Sequence, residues 1–413
     1  MSSLARYAPP TCELAPYLQL DPQTLTDRIQ AVRRRLGAEL LILGHHYQQD
    51  EVIALADLRG DSYQLSARAA ANEQCRFIVF CGVHFMAETA DVLANRPEQT
   101  ERRGGRRATV VLPDLTAGCS MADMAEIDQV EDCWEQLASV VDIEDVMPVT
   151  YVNSAASLKA FCGRRGGIVC TSANARAVLE WSFQRRRRVL FFPDQHLGRN
   201  TARRMGVALE EMPLWDPHQE EKGDSPHLPE RPATSLRPVP GFAQMGTVPF
   251  FQPHLGGNTP EAIRRSRVLL WQGYCSVHQV FLPQHVAQFR AKYPGIRILV
   301  HPECMMEVVD QADEIGSTGR IIRAVEEAPP GTRWAIGTEI HLVERLKRQH
   351  PEQEIHFLSP VACMCSTMYR IDLPHLCWAL ENLAAGTPVN VIRVDDATAE
   401  GALLALRRML EVK

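Results

Sequence analysis

The chain has 413 residues, 45% of them hydrophobic and 23% charged, with a net charge of −6. That length exceeds one ordinary core and points to two or three domains, and the mild negative charge argues against a nucleic-acid or anionic-membrane surface as the main partner. The start, MSSLARYAPPT, lacks the apolar centre of an export signal, and no run approaches the ~20 apolar residues that span a bilayer. The expectation is a cytoplasmic protein whose 12 cysteines are reduced thiols rather than a disulfide framework.

In chain order, four kinds of segment recur three times. The first set is LLILGHHYQ (40–48), RGDSYQLS (59–66), FIVFCGVHFMAETA (77–90) and VVLPDLTAGCS (110–120). The second is VMPVTYVNS (146–154), IVCTSANAR (168–176), VLFFPDQHLGRNTA (189–202) and LLWQGYCSVH (269–278). The third is IRILVHPEC (296–304), EIGSTGRII (314–322), WAIGTEIHLVERL (334–346) and FLSPVACMCS (357–366). Each segment is an apolar run that breaks into small or polar residues, and helix-like stretches such as SAASLKAF and TGRIIRAVEEA lie between them. Continuous Val/Ile/Leu/Phe runs alternating with helices are the mark of parallel α/β units, whose strands are buried on both faces. The fold class expected is α/β: three related αβα domains with short parallel sheets, at 1–130, 131–290 and 291–413. In open parallel sheets ligands bind beyond the carboxyl ends of the strands, where all of these polar residues fall.

Other features stand outside the repeat. The stretch 215–258, rich in Pro, Gly and charge, reads as an insertion or surface loop of the second domain, with a lid as the other reading. LPHLCWALENLAAG and ATAEGALLALRRML read as two terminal amphipathic helices flanking a strand, VNVIRV. The basic runs 102–107 and 184–189 read as solvated loop or helix ends.

Every set closes on cysteine: Cys119, Cys275 and the pair Cys363/Cys365. Three domains facing a common centre would bring one thiol from each together. Structural zinc would want a fourth ligand, whereas three cysteines suit a 4Fe-4S cluster with one iron left open as a Lewis acid. The competing reading is of small core residues after strands, as Cys81, Cys170 and Cys304 are expected to be.

Together GHHYQ, GDSYQLS, CGVHFMAETA, LPDLTAGCSMADM, YVNSAASLKA, CTSANA, FPDQHLGRNTA, WQGYCSVHQVF, HPEC, GSTG, GTEIHLVERL and CSTMYRIDL resemble the quinolinate synthase family. The resemblance runs from about residue 40 to the C-terminus. It implies three α/β domains around a pseudo-threefold axis with a four-iron cluster at the centre. It also implies condensation of iminoaspartate (iminosuccinate) with dihydroxyacetone phosphate to quinolinate for NAD biosynthesis, with an aspartate oxidase or dehydrogenase supplying the imine. The cluster ligands carried over are Cys119, Cys275 and, keeping the C-S-T-M spacing, Cys365 rather than Cys363.

Both implied substrates are anions, and Ser62, Ser172 and Thr318 each place a hydroxyl at the start of a helix-like stretch, where free N–H groups hold carboxylates and phosphate. Ordinary helix capping is the alternative at each; the resemblance, whose similar positions contact the imine, favours binding. Proton transfers need acids and bases, and the first segment of each set supplies His45 and Tyr47, Tyr151 and Asn153, and His301 and Glu303. Glu303 is the expected general base, its pKa raised by burial. His301 orients or relays, Tyr47 and Tyr151 donate to developing oxyanions, and Asn153 fixes a carboxylate. His84, His196 and His341 read as structural. A dehydratase of another hydroxy acid with the same open-iron chemistry is the runner-up. A metal-dependent sensor would need an output module, and no helix-turn-helix or basic tail is present.

Overall fold

A computed structural model describes residues 12–72, 74–219 and 254–412. Three sheets organise them. The first contains β1 (Leu40–His45), β2 (Leu58–Gly60), β3 (Phe77–Cys81) and β4 (Thr109–Val111). The second contains β5 (Val146–Tyr151), β6 (Ile168–Cys170), β7 (Arg188–Phe192), β8 (Leu214–Trp215) and β9 (Val268–Trp271). The third contains β10 (Arg297–Val300), β11 (Glu314–Ile315), β12 (Arg333–Gly337) and β13 (Glu354–Phe357). Strand order is β2-β1-β3-β4, β6-β5-β7-β9 and β11-β10-β12-β13, the same order three times and parallel throughout. The recurring segments are therefore the strands of one unit used three times.

Every residue of β1, β3, β5, β7 and β9 is buried, as the continuous apolar runs predict. Side chains such as Phe80, Phe191 and Trp271 are fully enclosed, and burying each contributes roughly 1.5–3 kcal/mol. Helices cover the sheets and are started by local chemistry. Asp21 caps Pro22–Leu36, accepting from Thr24 N at 3.0 Å, with proline at the first helical position. Buried Asp194 caps Gln195–Arg204 through Leu197 N at 2.6 Å, and buried Glu339 caps Ile340–Gln349. Gly386, at φ 86°, ends Leu373–Ala385 in the left-handed conformation that glycine adopts without strain.

The C-terminal elements return to earlier units. Helix Leu373–Ala385 packs on Pro22–Leu36, β14 (Val391–Ile392) joins the first sheet antiparallel to β4, and helix Asp396–Glu411 packs on Ala156–Arg164 of the second unit. Neither basic run is simply solvated: Arg103 and Arg188 are buried, donating to the carbonyls of Ala94 and Arg264. Of the stretch 215–258, residues 220–253 lie outside the described residues. No helix among the described residues is long and apolar enough to cross a membrane.

Candidate active site

The register makes the units comparable residue by residue. Gly44 pairs with Cys81, Thr150 with Phe192 and Val300 with Gly337, so Gly44, Thr150 and Val300 are equivalent. The next residues, His45, Tyr151 and His301, are then equivalent, as are Tyr47, Asn153 and Glu303. Ser62, Ser172 and Thr318 likewise follow equivalent ends of β2, β6 and β11. Cys119, Cys275 and Cys365 follow the fourth strand of each unit.

All twelve of these residues line one cavity, which encloses ≈730 Å³ of space outside atoms, mouth included. Phe85, Met86, Met121, Val277 and Met368 form its apolar wall. Cys363 is not among the lining residues, nor are His84, His196 and His341.

Burial sets the protonation states. His45 and His301 are each pushed down to about 3 by loss of solvation, so both rings are neutral near pH 7. Nδ1 of His45 accepts the backbone N–H of Tyr47 at 3.2 Å, and Nδ1 of His301 accepts that of Glu303 at 3.4 Å. The shared local motif puts the ring proton on Nε2 in both, by hydrogen-bond assignment. Burial and the Glu303 charge hold the Tyr47 and Tyr151 phenols well above their usual range. Tyr47 Oη lies 2.9 Å from Thr318 Oγ1 and 3.0 Å from Thr338 Oγ1.

Glu303 differs from expectation. Burial pushes its carboxyl up, but the imidazoles of His301 and His278 and the Tyr151 hydroxyl more than offset this and bring it down to about 2. It is a carboxylate at neutral pH, able to accept a proton, but its pKa is not raised. His278 Nδ1 approaches Glu303 Oε2 at 2.9 Å and its ring stacks on His301 at 4.6 Å. The contact to Glu303 is close but off the hydrogen-bond axis, so neither ring nitrogen of this 1% exposed histidine has an aligned partner among the described residues.

The three cavity thiols sense one another. Burial pushes Cys119 up to about 12, with the charge of Cys365 adding to it, and raises Cys275 well above its usual value, with Glu303, Cys119 and Cys365 adding. Cys365 is also raised, by burial first. Three such thiols are poor anions alone and suit a shared cationic centre, which would stabilise all three thiolates. Cys275, His278 and Glu303 also place ligand atoms within 4.8 Å of one another.

A family model described as NadA, Quinolinate synthetase A protein, matches residues 27–411. The chain belongs to the quinolinate synthase family. Curated relatives named quinolinate synthase agree over nearly their whole length. That of Rhodopirellula baltica is 62% identical over 400 residues, 97% of this chain and 94% of that protein. Those of Acidobacterium capsulatum and Corynebacterium glutamicum are 51% and 48% identical, covering 98% and 96% of this chain and 97% and 89% of theirs. The chain is therefore an enzyme of the quinolinate synthase family, as its motifs implied.

The quinolinate synthase motifs also hold what the residue-by-residue reading passed over. His278 sits three places after Cys275, and the same offset gives Ala122 after Cys119 and Met368 after Cys365. The C-x-x-H spacing was the available signal. Ser62 and Thr318 open the helices Ser62–Ala71 and Thr318–Glu326, while Ser172 sits in the turn before Ala175–Phe183. Cys81, Cys170 and Cys304 are buried core residues.

Proposed function

We propose that this enzyme condenses iminoaspartate with dihydroxyacetone phosphate to give quinolinate, phosphate and water for NAD biosynthesis in the cytoplasm. Cys119, Cys275 and Cys365 hold a 4Fe-4S cluster there. The observation that carries the reading is the convergence, in one cavity, of equivalent polar residues and one thiol from each of three units. When bound, the cluster supplies an iron open to a substrate oxygen, which is Lewis-acid chemistry.

The chain's own groups divide the remaining work. The helix starts at Ser62 and Thr318, with the Ser172 turn, present hydroxyls and N–H groups to the carboxylates and phosphate. Asn153 orients a carboxylate between them. Glu303 accepts protons from carbon or nitrogen, while His45 and His301 donate Nε2–H and Tyr47 and Tyr151 donate O–H to oxygens that gain charge. The apolar wall excludes water from an imine that water hydrolyses, and an aspartate oxidase or dehydrogenase supplies that imine.

A single-ion site on Cys275, His278 and Glu303 is the second reading, favoured by their 4.8 Å clustering. The test is to incubate anaerobically purified holoprotein with dihydroxyacetone phosphate and imine generated in place, and to follow the pyridine dicarboxylate by mass spectrometry. Product and released phosphate in equal amounts support the proposal; dehydration of a hydroxy acid without phosphate release would replace it.

A further inference from the structure

The segments carrying Tyr47 and Glu303 are held from across the unit boundaries in the same way. Asn200, on helix Gln195–Arg204 of the second unit, donates Nδ2–H to the carbonyls of Pro302 and Cys304, each at 2.9 Å. These carbonyls flank Glu303 on either side. Arg345, on helix Ile340–Gln349 of the third unit, donates to the carbonyls of His46 at 2.9 Å and Gln48 at 2.8 Å. These flank Tyr47. Since His45 and His301 are equivalent, the gripped carbonyls occupy the same places in their units. So do the gripping residues, for Phe192 and Gly337 are equivalent and Asn200 and Arg345 follow them by the same interval.

We propose that Asn200 and Arg345 are positioning residues, a repeated clamp by which one unit fixes the backbone of the next unit's reactive side chain. Neither lines the cavity. Each spends a buried polar group on two carbonyls: Asn200 is 3% exposed and its Oδ1 has no partner among the described residues, so what the amide does there is donate. Arg345 is 9% exposed, with its Nε on Asp50 at 2.9 Å. Its planar fork reaches both carbonyls and the carboxylate together, which a lysine cannot do.

The second unit departs from the pattern. Thr89, at the corresponding place on helix His84–Ala94, turns its hydroxyl back to Phe85 O at 2.8 Å, and Ser154 O is held instead by Lys159 of the same unit. Among the described residues, only the Glu303 and Tyr47 segments are clamped across a boundary by this device, and both turn inward with the same bond, Cys304 N to His301 O and Gln48 N to His45 O at 3.0 Å. Fixing these turns fixes the backbone N–H that sets the tautomer of each adjacent histidine. The functional consequence rests on the reading of Glu303 and Tyr47 given above.

The test is hydrogen exchange by mass spectrometry on the holoprotein. Asn200→Ala should speed exchange at Glu303 and Cys304 about tenfold, the size of one to two hydrogen bonds, and leave Tyr47 and Gln48 within about twofold of the parent. Arg345→Met should do the reverse. Turnover should fall about tenfold in each, with KM little changed, because reacting groups rather than binding groups lose their aim. Arg345→Lys, which keeps the charge but gathers its donors on one nitrogen in place of the fork, serves where Arg345→Met does not accumulate folded. Uniform loosening of both segments, or none, overturns the clamp. A crossed exchange pattern with parent-like turnover overturns the positioning role; parent-like turnover in Glu303→Gln would instead overturn the catalytic reading beneath it.

Discussion

Among the described glycines, the one whose added Cβ would come nearest a backbone atom is Gly163, at the crossing of helices Ala156–Arg164 and Asp396–Glu411. A Cβ added at Gly163 would lie 1.9 Å from the Gly401 carbonyl oxygen, 2.9 Å from its carbon and 3.2 Å from Ala405 N. All three are backbone atoms, so no side chain can turn away. Restoring ordinary contact needs the helices to part by roughly 1.5 Å, and overpacking of this kind costs about 1–3 kcal/mol. Alanine in a helix regains about 0.5–1 kcal/mol over glycine. Gly163→Ala should therefore lose ~1.3 kcal/mol net, near eightfold in the folded-to-unfolded ratio. Gly319, on helix Thr318–Glu326, has nothing within 4 Å of its Cβ position, so Gly319→Ala isolates the propensity term and should not destabilise. Urea midpoints at fixed protein concentration measure both. The displaced helix begins just beyond Asn153, and its Lys159 holds Ser154 O, so turnover should fall with stability in Gly163→Ala. A midpoint equal to or above the parent's would refute the close-packed crossing.

Two further outcomes follow from the site. Glu303→Gln keeps the side chain's shape but removes the proton acceptor; steady-state turnover should fall ~10²–10⁴-fold while iron and sulfide content stay at the parent level. Burial holds Lys159 down at about 8 against its ordinary 10.5, so between those values the unfolded chain binds more protons than the folded one. Stability from this group therefore rises with pH across that window, by at most about 1.4 kcal/mol per unit, and is lost as pH falls through 8. The denaturation midpoint of Lys159→Met, compared with the parent across the window, should lack that increment.

The repeat was legible because a buried parallel strand tolerates little but Val, Ile, Leu and Phe, and because each run stops where the sheet opens to the site. Once the three strand orders coincide, equivalence is arithmetic, and it carries His45, Tyr151 and His301 to one level. What was not legible depends on neighbours distant in sequence. Glu303 is a carboxylate with a lowered pKa because His278 and His301 face it, and burial alone, the only term visible in the chain, has the opposite sign. His278 was within a quoted segment, but its two unaligned ring nitrogens appear only when the third unit closes over it. Arg103 and Arg188 looked solvated because charge runs usually are; here helix ends and loops supply carbonyls for them. The return of β14 to the first sheet, antiparallel to β4, is set by where the C-terminal helices pack, which no local pattern encodes.

The central claim is that one thiol from each unit holds a single cluster. Iron and acid-labile sulfide per chain, measured after anaerobic purification, test it directly. The account predicts about four of each, lost in Cys119→Ser, Cys275→Ser and Cys365→Ser and kept in Cys363→Ser, whose parent thiol does not line the cavity. Stoichiometric zinc, or iron and sulfide that survive loss of any one of the three cavity cysteines, would contradict it.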